Sequence, residues 1–523
     1  MNKLLIILPI LFLFFSCDSW IDVKPENQVT YTNYFETEKD VEGAALQMLA
    51  AECAYIGCEG DYLKWLGILA DEWSDTYNGP RLGRVSDLAS GWGDKSWKNS
   101  YDIVFLANTI LENAPRADMP KDRLNFWIGQ ASFAKGLAYF EIARLFGDAV
   151  ITRNSTSLEK YGRKPMLEVI DTAIVNAVRA FNLLPVFEEL KDLSGAAITS
   201  KQYACKGAAA ALLAHLYAWR GSVTELYGLE GAPADYRKSI DYCTLILDKK
   251  AGFYEMQPDP ETLCLAMSKM GGYNKESIFE LELNPSETYA QTVRVLGAFL
   301  TGYPVDVNAT LTSQRTKSFR LRWSTVQQMY ETKDKRVDAY FYTDDEILNN
   351  LQTYPYIYLR KWREGIYFMS SSGSMATRMT GLRANQVQWR VADIYLLRAE
   401  CRAKLEITGA EDDLNEVRGR ANATLYPAAG ENDLKLAIFK EREKELLYEN
   451  HRFKDVIRNG KAYIREYFGY SLATDAGLEE NPIKYATDQD LKDGILFQPI
   501  PESAFLMNGL MRQTAYWLKY VKY

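Results

Sequence analysis

The sequence predicts a mainly α-helical protein, a superhelical scaffold of tetratricopeptide-like helix pairs, with a loop-rich insertion that contains a small amount of β structure. Apolar residues recur at helical spacing on both sides of a central stretch. That stretch, residues 251–386, is instead punctuated by Pro, Gly and Ser. Lys135-Gly136 and Lys206-Gly207 open two similar Ala-rich segments that lie 71 residues apart, about two periods of a ~34-residue helical repeat. Chance similarity of two Ala-rich helices is the alternative explanation.

Nine segments combine helical periodicity with start or stop signals, such as Pro165 before and Pro185 after the fourth of them. One short segment alternates apolar and polar residues and predicts a strand, at 277–283. A further short helix is expected at 324–331. The nine helical segments are 41–56, 96–114, 123–146, 166–184, 201–220, 236–247, 387–405, 410–421 and 434–448.

The chain has 523 residues, more than one hydrophobic core normally fills, so we expect two lobes. The pattern divides the chain into four parts. Residues 1–16 are expected to be a removed signal peptide, 17–250 an N-terminal helical region, 251–386 the loop-rich insertion, and 387–523 a C-terminal helical region.

The N-terminal segment has the features of an export signal. The apolar run from Leu4 to Phe15 follows Lys3 and is too short to span a bilayer as a helix. Ser16 precedes Cys17, as at lipoprotein processing sites, so Cys17 is expected to become a lipid-carrying N-terminus. A plain signal peptide with an incidental cysteine is the alternative.

Composition argues against several functional classes. The net charge of −8 would repel a nucleic-acid backbone on average. No zinc, nucleotide or common hydrolase motif occurs, so we expect a protein that is not an enzyme and holds neither cofactor nor metal. His215 faces a row of alanines and is expected to be a core residue. The cysteines after Cys17 are expected to be buried thiols, although a Cys53–Cys58 disulfide is conceivable.

Aromatic residues are abundant, with 34 Tyr and 11 Trp in 13% aromatic content, and they cluster in predicted loops. Flat rings suit ligands with flat apolar faces, such as sugars, while polar neighbours can bind hydroxyl groups. Extra core packing is the alternative. The candidate glycan-binding residues are Trp73, Asp75, Tyr77, Asn78, Tyr303, Trp323, Trp362 and Tyr367.

Two groups of aromatic residues also have a structural explanation. Tyr354, Tyr356 and Tyr358 have a period of two, so they either belong to the candidate site or form one face of a buried strand. Trp92 and Trp97, near a helix start, are expected to be core residues.

The segment 431–460 places charged residues among apolar ones. Glu441 and Glu445 share a helical face with Leu434, Ile438 and Tyr448, and a buried charge requires a partner. Charges of alternating sign then follow at three-residue spacing, which predicts a packed ion-pair network. A solvated charged face is the alternative. The expected network members are Glu441, Glu445, Glu449, Arg452, Asp455 and Arg458, and residues 450–451 are expected to interrupt the helix.

These charged residues also carry a family resemblance. The motif 441–458, with Asn450 where a glycine is usual, resembles the signature of the SusD/RagB family. Cys17, Trp20-Ile21-Asp22 and Pro25 resemble the start of the family's sequences, and two further motifs lie before and after 441–458 in the family's order, so the resemblance extends from Cys17 to the end of the chain. These two motifs are Asn415-Glu416-Val417-Arg418, which opens an Asn-x-Val-Arg-x-Arg-Ala run, and Phe497-Gln498-Pro499-Ile500-Pro501.

The resemblance implies a surface-exposed lipoprotein of the outer membrane, held there through its lipid anchor. Such a protein captures a glycan ligand and delivers it to a SusC-like TonB-dependent transporter, its expected partner, and does not bind nucleic acid. Two alternatives remain: a peptide- or protein-binding member of the same family, and a glycoside hydrolase.

Overall fold

The computed structural model describes residues 34–57, 72–73, 93–157, 159–268, 274–282, 319–367, 379–382, 384–467, 485–506 and 508–521. The first part of the described chain is a series of six long helices in which consecutive helices pack against each other. They are α1 (Glu38–Gly57), α2 (Gly93–Asn113), α3 (Lys121–Phe146), α4 (Met166–Leu183), α5 (Lys206–Leu226) and α6 (Ala232–Leu247).

Small residues allow these helices to approach closely. A Cβ on Gly136 of α3 would lie 3.1 Å from the carbonyl oxygen of Ala173 and 3.2 Å from the amide nitrogen of Ala177, both in α4. Since neither backbone atom can move freely, a larger residue at position 136 would push the two helices apart, and glycine permits the close crossing. The helix pairing predicted from the sequence is therefore confirmed, and the two Ala-rich segments lie in α3 and α5.

The second part of the chain returns to helices after the insertion. Its helices pack on α5 and α6, so the largest core is continuous from the first helices to the C-terminal ones. The helices of this part are α11 (Val391–Lys404), α12 (Ala410–Arg420), α13 (Leu434–Glu445), α14 (Arg452–Arg458), α15 (Lys461–Tyr467) and α16 (Asp488–Asp493). A separate, smaller core joins α11, α12 and α13.

The insertion has a smaller core of its own and more helix than its composition predicts. Besides the expected helix near Trp323, the described part of the insertion contains three further short helices, each too brief to show periodicity in the sequence. Its helices are α7 (Pro260–Met267), α8 (Trp323–Met329), α9 (Arg336–Tyr340) and α10 (Asp345–Asn349).

Seven short strands form three antiparallel sheets within the described residues. The order β1–β3–β4 makes a three-stranded sheet, whereas β2 pairs with β7 and β5 with β6. The strands are β1 (Glu72–Trp73), β2 (Ser277–Leu281), β3 (Phe319–Arg322), β4 (Tyr356–Ile357), β5 (Gly365–Tyr367), β6 (Met379–Leu382) and β7 (Gln386–Arg390).

Several predicted helix boundaries are wrong, including the start of α6, which is expected at residue 236 and lies at Ala232. The helix expected from residue 387 begins at Val391, because Gln386–Arg390 instead pairs with β2, and a strand of alternating burial suits that edge. The helix expected over residues 201–220 spans Lys206–Leu226, because the sulfur of Cys205 accepts from the amide of Ala208 and caps the helix start there. The helix expected to end at residue 448 ends at Glu445.

Other expectations about buried residues are confirmed. His215 and Trp97 are buried, as predicted for core positions. Cys53 is a buried thiol, and its conceivable partner Cys58 lies outside the described residues, as does Trp92. The four other described cysteines are free thiols and are also buried: Cys205, Cys243, Cys264 and Cys401.

One buried carboxyl makes stability depend on pH. Glu52 of α1 is 1% exposed, one of its oxygens has no hydrogen-bond partner, and burial raises its pKa from 4.5 to about 8. Between these values the folded protein holds a proton that the unfolded chain releases, so rising pH lowers this residue's contribution to stability.

We therefore expect Glu52→Gln, which cannot ionise, to gain stability relative to the natural chain by about 1.4 kcal/mol per pH unit between roughly pH 5 and pH 8. Urea unfolding at four pH values measures the difference. The exposed Glu230→Gln is the matched control and should differ from the natural chain by a constant amount. A constant difference for Glu52→Gln as well would contradict the prediction.

Candidate ligand-binding face and the ion pairs behind it

The three-stranded sheet brings together two of the aromatic clusters predicted from the sequence and the tyrosine run of the third. Trp73 in β1 lies opposite Phe319 in β3, and Arg322 at the end of β3 lies opposite Tyr356 in β4. Segments separated by more than 200 residues in sequence therefore meet at one small sheet. The sequence offered the residues but no signal that they would be neighbours.

Two half-buried rings, Trp323 and Tyr354, lie where β3 ends and β4 begins. The amide nitrogen of Trp323 donates to the carbonyl oxygen of Pro355 at 2.9 Å, which places Trp323 beside the chain that carries Tyr354. The guanidinium of Arg322 lies 6.0 Å from the ring centre of Tyr356. We name Arg322, Trp323 and Tyr354 the aromatic face. Partly exposed rings beside a hydrogen-bonding cation can contact both the apolar faces and the hydroxyl groups of a sugar.

The tyrosine run combines both of its explanations. Tyr356 and Tyr358 are buried at 8% and 3% exposure, as a buried strand face requires, whereas Tyr354 keeps part of its surface. Trp362 is 4% exposed within the smaller core, so its ring offers a ligand no open face in this structure.

The other candidate residues are less closely defined. Tyr367 lies in β5, with its backbone opposite Met379. The rest fall outside the described residues: Cys17, Asp75, Tyr77, Asn78 and Tyr303.

Behind this sheet, Glu445 is a fully buried carboxylate surrounded by arginines. One of its oxygens accepts from Arg390 at 2.6 Å and also pairs with Arg420, while the other accepts from Arg336 at 3.2 Å. Its backbone carbonyl accepts from the hydroxyl of Tyr340 at 3.2 Å. These arginines hold the pKa of Glu445 well below its usual range against the opposing effect of burial.

Glu449, four residues further along the chain, connects the aromatic sheet to the same cluster. Its carboxylate forms two hydrogen bonds of 2.8 Å with Arg390 and an ion pair with Lys361. Lys361 is fully buried, follows β4 by four residues and lies 4.3 Å from the ring centre of Tyr340. A cation at the base of the sheet is thus neutralised by a carboxylate of the C-terminal region.

Glu441 extends the cluster on the other side of Glu445. It accepts from Arg336 at 2.5 Å and from Arg418 at 3.0 Å, and Arg336 also pairs with Asp334 at 2.7 Å. We call the whole group the central ion-pair cluster. Its members are Glu276, Asp334, Arg336, Lys361, Arg390, Arg418, Arg420, Glu431, Glu441, Glu445 and Glu449.

A second buried cluster lies beside it, around Asp393. The two histidines of the chain meet there: His215 Nε2 lies 2.8 Å and His451 Nδ1 lies 3.8 Å from the Asp393 carboxylate. Arg442 donates to the same carboxylate at 2.7 Å. Burial lowers the pKa of both histidines, while Asp393 opposes that shift. This cluster joins α5, α11 and α13.

Three of the predicted network residues complete that second cluster or lie next to it. Asp455 accepts from Arg442 at 2.9 Å and from Arg458 at 2.7 Å, and Arg458 also pairs with Glu400 at 2.7 Å. Arg452 pairs with Glu443 at 2.8 Å.

Of the six residues expected to form a network, the described structure pairs only Asp455 with Arg458 directly. Arg452 pairs with the nearby Glu443, whereas Glu441, Glu445 and Glu449 take partners from distant parts of the chain. Sequence reasoning missed those partners, such as Arg336 and Arg390, because contacts over more than 50 residues leave no local pattern.

The break between α13 and α14 has a conformational basis. Tyr448 and Asn450 have φ values of 61° and 72°, in the left-handed region. Asparagine adopts this conformation more readily than most residues other than glycine, which explains why Asn450 can stand where the related motif has glycine. The turn it makes carries the chain past Glu449 and into α14.

Neither metal binding nor membrane crossing is indicated by the described part of the chain. Its His, Cys, Asp and Glu side chains form no group of three that could hold a metal ion. None of its helices is both long and apolar enough to cross a bilayer.

The paired helices define a helical-repeat protein. The small sheet that carries the aromatic residues provides its candidate binding face. A sequence profile of the SusD family matches residues 275–517, and a profile described as "Starch-binding associating with outer membrane" matches residues 76–218. The chain belongs to the SusD-like family.

Individual relatives are similar to this chain over most of its length. SusD-like protein P25 from Formosa agariphila is 24% identical over 495 residues, which cover 86% of this chain and 88% of the relative. A SusD homolog from Bacteroides thetaiotaomicron has a TM-score of 0.72 at 17% identity, covering 93% of this chain and 98% of its own. A SusD-like carbohydrate binding protein from Bacteroides vulgatus has a TM-score of 0.60 at 19% identity, with coverage of 81% and 84%.

Replacing Glu445 tests the central ion-pair cluster. Glu445→Gln keeps the shape of the side chain but leaves three buried arginines short of one negative charge, so we expect the free energy of unfolding to fall by about 3–5 kcal/mol. Denaturant unfolding followed by far-UV circular dichroism measures the loss.

The matched control is Glu416→Gln on α12, an exposed carboxylate with no ion pair among the described residues, and it should change stability by less than about 0.5 kcal/mol. Equal, small effects of the two substitutions would show that the cluster contributes little.

Proposed function

We propose that the protein is a surface-exposed outer-membrane lipoprotein that captures an oligosaccharide and delivers it to a SusC-like TonB-dependent transporter. The observation that carries the proposal is the match of two SusD-type profiles, one of them described as starch-binding and outer-membrane-associated, to separate parts of the chain. A family relative of known structure is named as carbohydrate binding.

The anchor in this proposal is lipid on Cys17, exposed by removal of residues 1–16. The apolar run before Ser16-Cys17 supports this, because a lipid-modified N-terminal cysteine can hold a folded domain at a membrane. Residues 17–250 and 387–523 would then supply the helical scaffold, and residues 251–386 most of the ligand-binding surface.

Binding without chemical conversion is the simplest function for the described geometry. The carboxylates of the central ion-pair cluster are buried and matched by cations, so they are placed to hold the fold together. The aromatic face, in contrast, is half-buried and next to loops, where ligands usually bind on a rigid scaffold. We therefore assign sugar contact to Trp323 and Tyr354, with Arg322 as hydrogen-bond donor.

Removing either ring tests this assignment. Trp323→Ala and Tyr354→Ala should each weaken oligosaccharide binding about tenfold, since a lost ring contact is worth about 1.4 kcal/mol. A panel of plant, algal and host oligosaccharides, including starch fragments, first identifies a ligand by isothermal titration calorimetry, and the variants are then titrated with it.

The matched control is Phe253→Ala, which removes an exposed ring after α6 and should leave affinity unchanged. Unchanged affinity in both face variants would remove the aromatic face from the site. Binding of peptides but of no glycan would favour the peptide-binding alternative, and new reducing ends during incubation would favour a glycoside hydrolase.

A further inference from the structure

A groove with a volume of about 530 Å³ lies on the N-terminal helices, far along the chain from the aromatic face. It runs over α3 and α4 next to the end of α2. Its size is within the range of ligand-binding sites in proteins. The lining residues are Pro115, Leu124, Asn125, Ile128, Val175, Val178, Arg179, Asn182 and Leu183. We call it the α3–α4 groove.

The walls of the groove are aliphatic and open to solvent. Val175 is 68% exposed, and Leu124, Val178 and Leu183 are each half-buried at the edge of the main core. No aromatic ring belongs to the described lining. Sugars are held mainly by stacking on rings, so this lining is a poor match for a glycan. An open groove is also a poor match for a lipid chain, which needs an enclosed tunnel.

The charge of the groove is positive although the chain as a whole carries −8. Arg179 is the one charged residue of the described lining, is exposed, and forms no ion pair with any residue that the structure describes. Lys135 lies further along α3. Burial lowers its pKa, Glu112 opposes that shift, and Arg179 adds to it, which places Arg179 close to Lys135. Lys135 donates to Asn108 at 2.6 Å.

Polar groups on the rim can orient a ligand. Asn125 of α3 and Asn182 of α4 belong to the lining on either side of the apolar floor, and both can donate and accept hydrogen bonds. Aliphatic walls, a carboxamide rim and one unmatched cation are together complementary to a polypeptide that presents aliphatic side chains and a carboxylate.

We propose that the α3–α4 groove binds a segment of a protein partner that inserts two or more aliphatic side chains between α3 and α4 and pairs one Asp or Glu with Arg179. The groove shares no lining residue with the aromatic face, so variants at each surface can be tested independently. The inference does not depend on the identity of the glycan.

The test starts with a random 15-residue peptide library displayed on phage and selected against the full chain. The enriched peptides should combine aliphatic residues with an acidic residue, and fluorescence anisotropy then measures their affinity. We expect Val175→Asp to weaken binding more than tenfold and Arg179→Gln to weaken it about five- to tenfold. Both residues are exposed, so both variants should fold, which circular dichroism checks.

A charge exchange makes the test specific. Arg179→Glu should abolish binding of the selected peptide, and replacing the peptide's acidic residue with lysine should restore it. Matched controls are Leu229→Asp and Arg237→Gln, exposed residues at the end of α5 and on α6, which should leave binding unchanged.

Three outcomes would overturn the proposal: no enriched peptide, affinity that is unaffected by the Val175 and Arg179 variants, or peptides whose binding is lost in Trp323→Ala and therefore map to the aromatic face. Loss of glycan binding in Trp323→Ala with peptide binding intact would support two separate sites.

Discussion

The buried carboxylate of Glu445 and the three arginines around it are the interaction on which the arrangement of the molecule depends. Each arginine comes from a different element: Arg336 from α9 in the insertion, Arg390 from β7 and Arg420 from the end of α12. A buried charge is tolerated only with full pairing, so these elements must meet at one point. The cluster therefore fixes the insertion against the helical scaffold, which hydrophobic contact alone would specify less strictly.

The central ion-pair cluster also holds the candidate binding face in place. Lys361, four residues beyond β4, is fully buried and paired with Glu449, so the sheet cannot shift without separating an ion pair inside the protein. Rings held on a rigid support lose little freedom when a ligand binds, which favours affinity. Ion pairs in the core and half-buried rings at the surface are in this way parts of one arrangement.

Local patterns were sufficient to predict most of the helical scaffold. Pro165 and Pro185 bracket α4 in the sequence as they do in the structure, and the interruption at residues 450–451 appears as the turn between α13 and α14. The sequence did not predict β7, because its five residues directly precede α11 and look like the first turn of that helix. Only the pairing with β2 shows that they form a strand. The partners of Glu445 were missed for the same reason, since pairing over such distances depends on tertiary structure.

The candidate site was predictable in kind but not in arrangement. Abundant loop aromatics indicated a surface for flat ligands, and Trp323 is partly exposed at the end of β3. Trp362 belongs to the same class of residue, yet packing in the smaller core buries it, and nothing in the sequence distinguishes the two. Exposure is decided by which strands pair, and a single sequence does not contain that information.

Hydrogen–deuterium exchange of Lys361→Met, compared with the natural chain, is the most direct test of whether the ion pairs hold the binding face in place. Removing the cation should speed amide exchange in residues 321–362 while leaving α1 to α4 unchanged, because only the insertion loses its attachment. Unchanged exchange in that segment, or an equal increase throughout the chain, would contradict the role assigned to the cluster.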